Sequence, residues 1–233
     1  YGRLYRIPYE LSKKEIGVSC YSLSYQKRGY SSTDITQNLH WTSIDFNVFL
    51  PRSLFRLKKE IMDEIHNNNI DVIIASSDVI HLGVAKYISV KTGIPLASDL
   101  YDNYESFGQM KLPFMHTIYS SALKHSSVVM CVSEPLAKHV QQYCNDGCKV
   151  ITVENAVDHA IFKKMPMLYS RKQLDLPDNI KLIGTAGALY NNRGIRTLFE
   201  AFQILSKEDT DIHLILAGRV SGEVQLPVHE NMH

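Results

Sequence analysis

Residues 181–218 set a glycine-containing turn between two β-rich runs, and no other stretch constrains the fold as much. Lys181, Leu182 and Ile183 lead through Gly184 to Gly187, an amphipathic segment follows Gly194, and an apolar run from Ile212 ends on Gly218. This is the pattern of a βαβ unit whose first turn lets the backbone approach an anion closely. The unit lies at the end of the chain. One βαβ unit is too small to fold well by itself, so it is expected to open a domain.

The alternation continues upstream. A helix over residues 3–14 is entered from Gly2, with Pro8 either near its start or kinking it. Strands are expected at 16–23 and 39–46, with a polar loop at 27–34 between them. Leu54, Leu57, Ile61 and Ile65 share one helical face. Residues 71–75 read as a buried strand, 80–91 as a helix closed by Gly93, and 94–98 as the next strand. Met115, Ile118, Tyr119 and Ala122 mark a further helix, followed by a strand at 128–132. Ser133 is placed to cap the helix carrying Leu136, Val140 and Tyr143, with Pro135 harmless in its first turn. A strand at 149–153 closes the series.

Strands alternating with helices imply an α/β protein with a mostly parallel sheet. Residues 155–177 break the rhythm and read as a connection with room for one short helix. The expected organisation is a Rossmann-like domain over 1–158, a linker over 159–178 and the start of a second Rossmann-like domain over 179–233. The first helix would normally follow a central strand, and without that strand the sheet would hold unpaired edges. The chain therefore reads as an internal piece of a longer protein.

Composition narrows the function. A net charge of +1 gives no electrostatic case for nucleic acid, and the apolar runs are too short to cross a bilayer. The four cysteines do not form a disulfide framework. Cys20 and Cys131 lie in strand-like runs, and Cys144, Cys148 and His139 lack a fourth ligand for zinc. None of the ten histidines shows H-E-x-x-H spacing. No metal is expected, and a reducing, cytoplasmic setting fits best.

Five stretches, in order, resemble the GT-B glycosyltransferases of the retaining family 4 (group 1) type. Residues 1–8 resemble the end of that family's first glycine loop, and residues 99–107 its acceptor-side loop. Val132, Ser133 and Glu134 resemble its V-S-E turn. Asn155, Ala156, Val157 and Asp158, followed by Phe162, resemble its N-G-V-D crossover. Residues 187–194 resemble its donor loop G-R-L-x-x-x-K-G. Ala188 stands where that loop has arginine, Arg193 keeps its second cation in kind, and Tyr101 stands where histidine is usual. The family's paired glutamates would fall beyond His233.

The resemblance implies sugar transfer from a nucleoside diphosphate to an acceptor hydroxyl, with the nucleotide sugar as co-substrate and no metal or other cofactor. Gly187, Arg193 and Gly194 are expected to hold the donor diphosphate, on backbone N–H groups, a helix start and a guanidinium. Asp102, then Asp99, is expected to orient or deprotonate the acceptor at the end of a strand. Gly2, Arg3, Asn103 and Glu105 are expected around a saccharide or glycolipid acceptor. Arg52, Arg56, Lys58 and Lys59 form a basic helix face suited to weak contact with an anionic membrane. The 233 residues alone are expected to be inactive. The same architecture leaves open a nucleotide-sugar epimerase and a non-catalytic nucleotide- or sugar-binding module.

Overall fold

In the computed structural model, residues 2–26, 28–46 and 52–233 are described. Tyr1 and Lys27, which open two of the expected segments, lie outside them. The chain divides into two compact units, Tyr1–Val157 and Asp158–His233.

Helix α1 (Arg3–Ser12) contains Pro8 in its interior and packs on strands β1 (Val18–Ser24) and β3 (Leu39–Asp45). Its Tyr5 ring stacks on Tyr9 at 5.7 Å and reaches Trp41 of β3 at 6.0 Å. β1 and β3 are parallel, with Val18 opposite Leu39 and Ser24 opposite Asp45. Strand β2 (Ser31–Thr36) pairs antiparallel with β3 and takes up residues 31–34, half of the segment expected as a polar loop. Five of its six residues are exposed, so no alternation of apolar and polar residues announces it. Its ladder with β3 makes it a strand, reinforced by Asp34 and Ser32 on the two nitrogens of His40 at 2.6 and 2.8 Å.

Helix α2 (Arg52–Asn67) buries Leu57 and packs Leu54 and Ile61 against Leu23, Ile44 and Phe46. This is the apolar face expected from the sequence, and it also meets Ile80 and Val84 of helix α3 (Val79–Thr92).

The second sheet is entirely parallel, in the order β4 (Ile73–Ala75), β5 (Leu96–Leu100), β6 (Val128–Cys131), β7 (Lys149–Thr152). Every residue of β5 is buried, the signature of a strand covered on both faces. Helices α3, α4 (Met115–His125) and α5 (Glu134–Val140) alternate with these strands. Val79, Leu82, Leu100, Tyr104, Tyr119, Leu123 and Val129 are fully buried in the common core. Asp78 caps α3 through the His81 N–H at 3.0 Å, and Gly93 ends it in the left-handed region at φ 75°. Ser133 caps α5 as expected.

The strand expected over 71–75 is shorter and less buried. Only Ile73–Ala75 is extended, and Val72 and Ile74 are nearly half exposed. β4 lies at the edge of its sheet, as β1 does of the other, and neither has a further strand on its outer side among the described residues.

In the second unit, β8 (Lys181–Ala186) and β9 (Ile212–Ala217) are parallel in register from Lys181↔Ile212 to Ala186↔Ala217. Helix α7 (Ile195–Glu208) covers them with Ile195, Phe199 and Phe202, which enclose Leu214. Helix α6 (Met167–Gln173) falls within the expected linker. Its buried Arg171 donates to the carbonyls of Pro177, Asp178 and Ile180 at 2.7–2.8 Å. That segment is thereby tied to the entrance of β8.

Candidate functional site

At the C-terminal end of β5, Asp99 is buried, with its side chain 4% exposed. Arg3 meets it with Nε at 3.1 and 3.2 Å and Nη2 at 2.6 Å, and gives Nη1 to the carbonyl of Val153. Ser76, beyond β4, donates to Asp99 Oδ2 at 2.9 Å. Two residues expected to face an acceptor are therefore paired with one another. With both oxygens engaged and water excluded, Asp99 fixes the start of α1 to the sheet and has no free lone pair directed at a ligand. Gly2 is exposed and extended, and its carbonyl accepts from Tyr5 and Arg6 at the start of α1.

The turn after β5 is built by short-range bonds. Asp102 Oδ1 accepts from the adjacent Asn103 N–H at 2.8 Å, and Asn103 Oδ1 accepts from the Glu105 N–H at 3.1 Å, closing an Asx turn. Tyr104 is fully buried beneath the turn and donates to the Asp99 carbonyl at 2.8 Å. Asp102 itself is exposed, and its second oxygen has no partner among the described residues. Of the expected carboxylates, Asp102 is the one left open.

Glu105 faces its own chain. Its carboxylate receives Tyr143 Oη at 2.9 Å, His116 Nε2 at 3.2 Å and His139 Nε2. Burial works to raise its pKa, but the bonds from His139 and Tyr143 prevail and hold it below the usual carboxylate value. A related cluster lies at the start of α3, where Asp78 accepts from the Tyr25 hydroxyl and meets His81 Nδ1 at 2.8 Å. Burial opposes the Asp78 charge, but His81 and Tyr25 outweigh it and lower the pKa. No local sequence signal joins residues as far apart as Glu105 and His139, or Tyr25 and Asp78.

In the second unit, β8 runs into a turn at Gly187, φ 130°. The Gly187 N–H is bound to the Ala217 carbonyl at 2.8 Å. It is thus a sheet donor and not the free phosphate donor expected. The glycine requirement is sterically shared with Gly218, where a Cβ would lie 1.7 Å from the Gly187 oxygen. Among the described residues the Ala188 N–H has no partner. Gly194 adopts φ 72° at the start of α7, and no side chain caps that helix. Arg193 is exposed beside it; its backbone N–H is bound to the Tyr190 carbonyl at 3.0 Å, and its guanidinium has no hydrogen-bond or ion-pair partner among the described residues.

Gly187, Ala188, Arg193, Gly194 and Ile195 share a recess of about 350 Å³. A larger one, about 520 Å³, lies beside α6 against Tyr169, Lys172 and Asp175. The smaller joins an uncapped helix start to a cation, a combination that favours an anion.

Among the described residues no group of three or more histidine, cysteine or acidic side chains could hold a metal. Burial pushes the Cys144 thiol up to about 12. On α2, Arg56 pairs with Glu60 at 2.8 Å and covers the Tyr30 ring, while Lys58 donates to Tyr87 at 2.8 Å. Arg52 and Lys59 remain without partners among the described residues. No described helix is long and apolar enough to cross a membrane.

A family model described as Glycosyltransferase Family 4 matches residues 9–161. No curated protein sequence matches the chain. Among solved structures it is similar to Anabaena HepE in complex with UDP, at 16% identity and TM-score 0.64, over 89% of this chain and 62% of that one. HepE has also been solved with UDP-glucose. A sucrose-phosphate synthase from Thermosynechococcus elongatus is similar at 12% identity and TM-score 0.69, over 94% of this chain and 57% of that one. An alpha,alpha-trehalose-phosphate synthase (UDP-forming) from Burkholderia vietnamiensis is similar at 10% identity and TM-score 0.60, over 93% and 61%. These likenesses show a shared GT-B-type α/β fold, and the chain spans less than two thirds of each of the three proteins.

Proposed function

The chain belongs to Glycosyltransferase Family 4, and we propose that it supplies part of an enzyme moving a sugar from a nucleoside-diphosphate sugar to an acceptor hydroxyl with retention. The observation that carries this reading is the Arg193 guanidinium, without a partner among the described residues, beside the uncapped start of α7. In the reaction the bond from the anomeric carbon to the diphosphate oxygen breaks, and its electron pair leaves with the diphosphate. The acceptor oxygen bonds to that carbon on the same face and gives up its proton. Negative charge thus grows on the diphosphate, where fixed donors lower the barrier. Arg193, the Ala188 N–H and the first N–H groups of α7 are the donors this chain offers. Asp102 is the carboxylate placed to orient the acceptor hydroxyl and receive its proton.

The UDP and UDP-glucose bound by HepE support a nucleotide-sugar donor. The acceptor is a growing cell-surface polysaccharide, a lipopolysaccharide or a glycolipid, reached from the cytoplasmic side. Arg52 and Lys59 are the cations of α2 free to meet an anionic membrane surface. Ala188, in place of a second donor-loop arginine, favours one other reading, a nucleotide-binding module without transfer.

Titration of UDP, GDP and ADP, followed by ligand-observed NMR, tests the donor assignment. At least one diphosphate should bind saturably, and Arg193→Ala should weaken it about tenfold, as loss of a charge-assisted bond does. Absence of binding, or binding indifferent to that change, would count against the site. Binding in a C-terminally extended protein that never releases UDP from UDP-glucose would favour the module.

A further inference from the structure

Glu105 is bonded more densely than an acceptor-contacting residue needs to be. Its side chain is 20% exposed and collects three donors from three separate elements: His116 on α4, His139 on α5, and Tyr143 in the short helical turn after α5. The rings around it are ordered as well. Tyr143 lies edge-on to His116 at 5.9 Å, to His139 at 6.1 Å and to Tyr119 at 5.7 Å. Tyr119, whose hydroxyl is buried without a partner among the described residues, sits beneath the cluster. The main chain at Glu105 belongs to the turn that presents Asp102, through the bond from its N–H to Asn103. From below, the same turn is held by Tyr104 on the Asp99 carbonyl.

We propose that Glu105 is a positioning residue, clamping the turn that carries Asp102 onto α4 and α5 through His116, His139 and Tyr143. Two anchors, Tyr104 below and Glu105 at the side, fix a segment whose own bonds are only local. Asp102 is then held exposed without spending its second oxygen. The consequence for transfer rests on the acceptor-side reading above; the clamp itself does not. The titratable groups that face Glu105 are His116 and Tyr119 from α4, His139 from α5 and Tyr143. Burial works against the charge, but the bonds from His139 and Tyr143 and the proximity of His139 and His116 keep the carboxyl below its usual value. The clamp should therefore be complete above the ordinary carboxylate range and open as pH falls through the lowered pKa.

Amide hydrogen exchange on the 233-residue protein tests this. At pH 7, Glu105→Ala should speed exchange at residue 105, Phe107 and Met110 by roughly tenfold, while amides of β5 and β6 keep wild-type rates. Unchanged turn amides would overturn the clamp, and so would equal acceleration throughout the core. In a second arm, wild-type turn exchange, corrected for intrinsic rates, should rise through an acidic step that Glu105→Gln lacks. The same step in Glu105→Gln would show that another group titrates, and would also overturn the proposal. UDP binding in the same samples reads the donor turn separately. Its absence would sink the transferase reading and leave the clamp intact.

Discussion

The end of β5 and the turn before α7 meet charge in opposite ways. At β5, Asp99 is buried and every oxygen is matched by Arg3 or Ser76. At α7, Arg193 is exposed and unmatched, and the helix start has no capping side chain. The first arrangement is complete without a ligand and acts as structure. The second leaves positive charge unanswered, which is favourable only where an anion arrives. The difference separates charges that hold the fold from charges available to chemistry, a distinction residue type alone does not make.

Four changes would break or sharpen this contrast. Arg3→Ala strands the buried Asp99 carboxylate and should cost about 3–5 kcal/mol of stability, seen in the urea midpoint. A loss near zero would mean that the pair is not closed to water. Gly218→Ala forces a Cβ against the Gly187 oxygen, and should cost about 1–3 kcal/mol and remove any diphosphate binding. Asp78→Ala deletes the α3 cap and should cost about 1 kcal/mol. Because the Asp78 pKa is lowered in the fold, its contribution is present above the ordinary carboxylate range and lost as pH falls through the folded value. The variant should accordingly lose part of the acid limb of a stability–pH curve; an unchanged limb would assign it elsewhere. Arg193→Ala should leave stability within about 0.5 kcal/mol. A larger loss would show that Arg193 supports the fold and would erase the contrast.

The legible part of the fold was set by local rules. The apolar face of α2, the Ser133 cap, the Gly93 terminus and the β8–α7–β9 unit follow from periodicity and capping residues in short windows. β2 was not legible, because an exposed edge strand of serine and threonine has no apolar face to reveal it. The glycine turn at 187 and the cation at 193 were readable as parts of one strand-to-helix turn, but the engagement of the Gly187 N–H by Ala217 depends on strand register. In sequence Asp102 stands ahead of Asp99, but both are candidates for the same role. Arg3, 96 positions away, separates them, and no spacing rule connects positions so remote.

The outer edges of β1 and β4, unpaired among the described residues, carry a practical meaning for anyone handling this chain. An unpaired edge of extended backbone is a template for any other extended backbone, and Val72 and Ile74 add half-exposed apolar surface beside one of them. Such edges favour pairing between copies, so light scattering by the chain should rise with concentration. Dilute samples and short storage suit this molecule, and a bound extended peptide would act on it as a solubiliser.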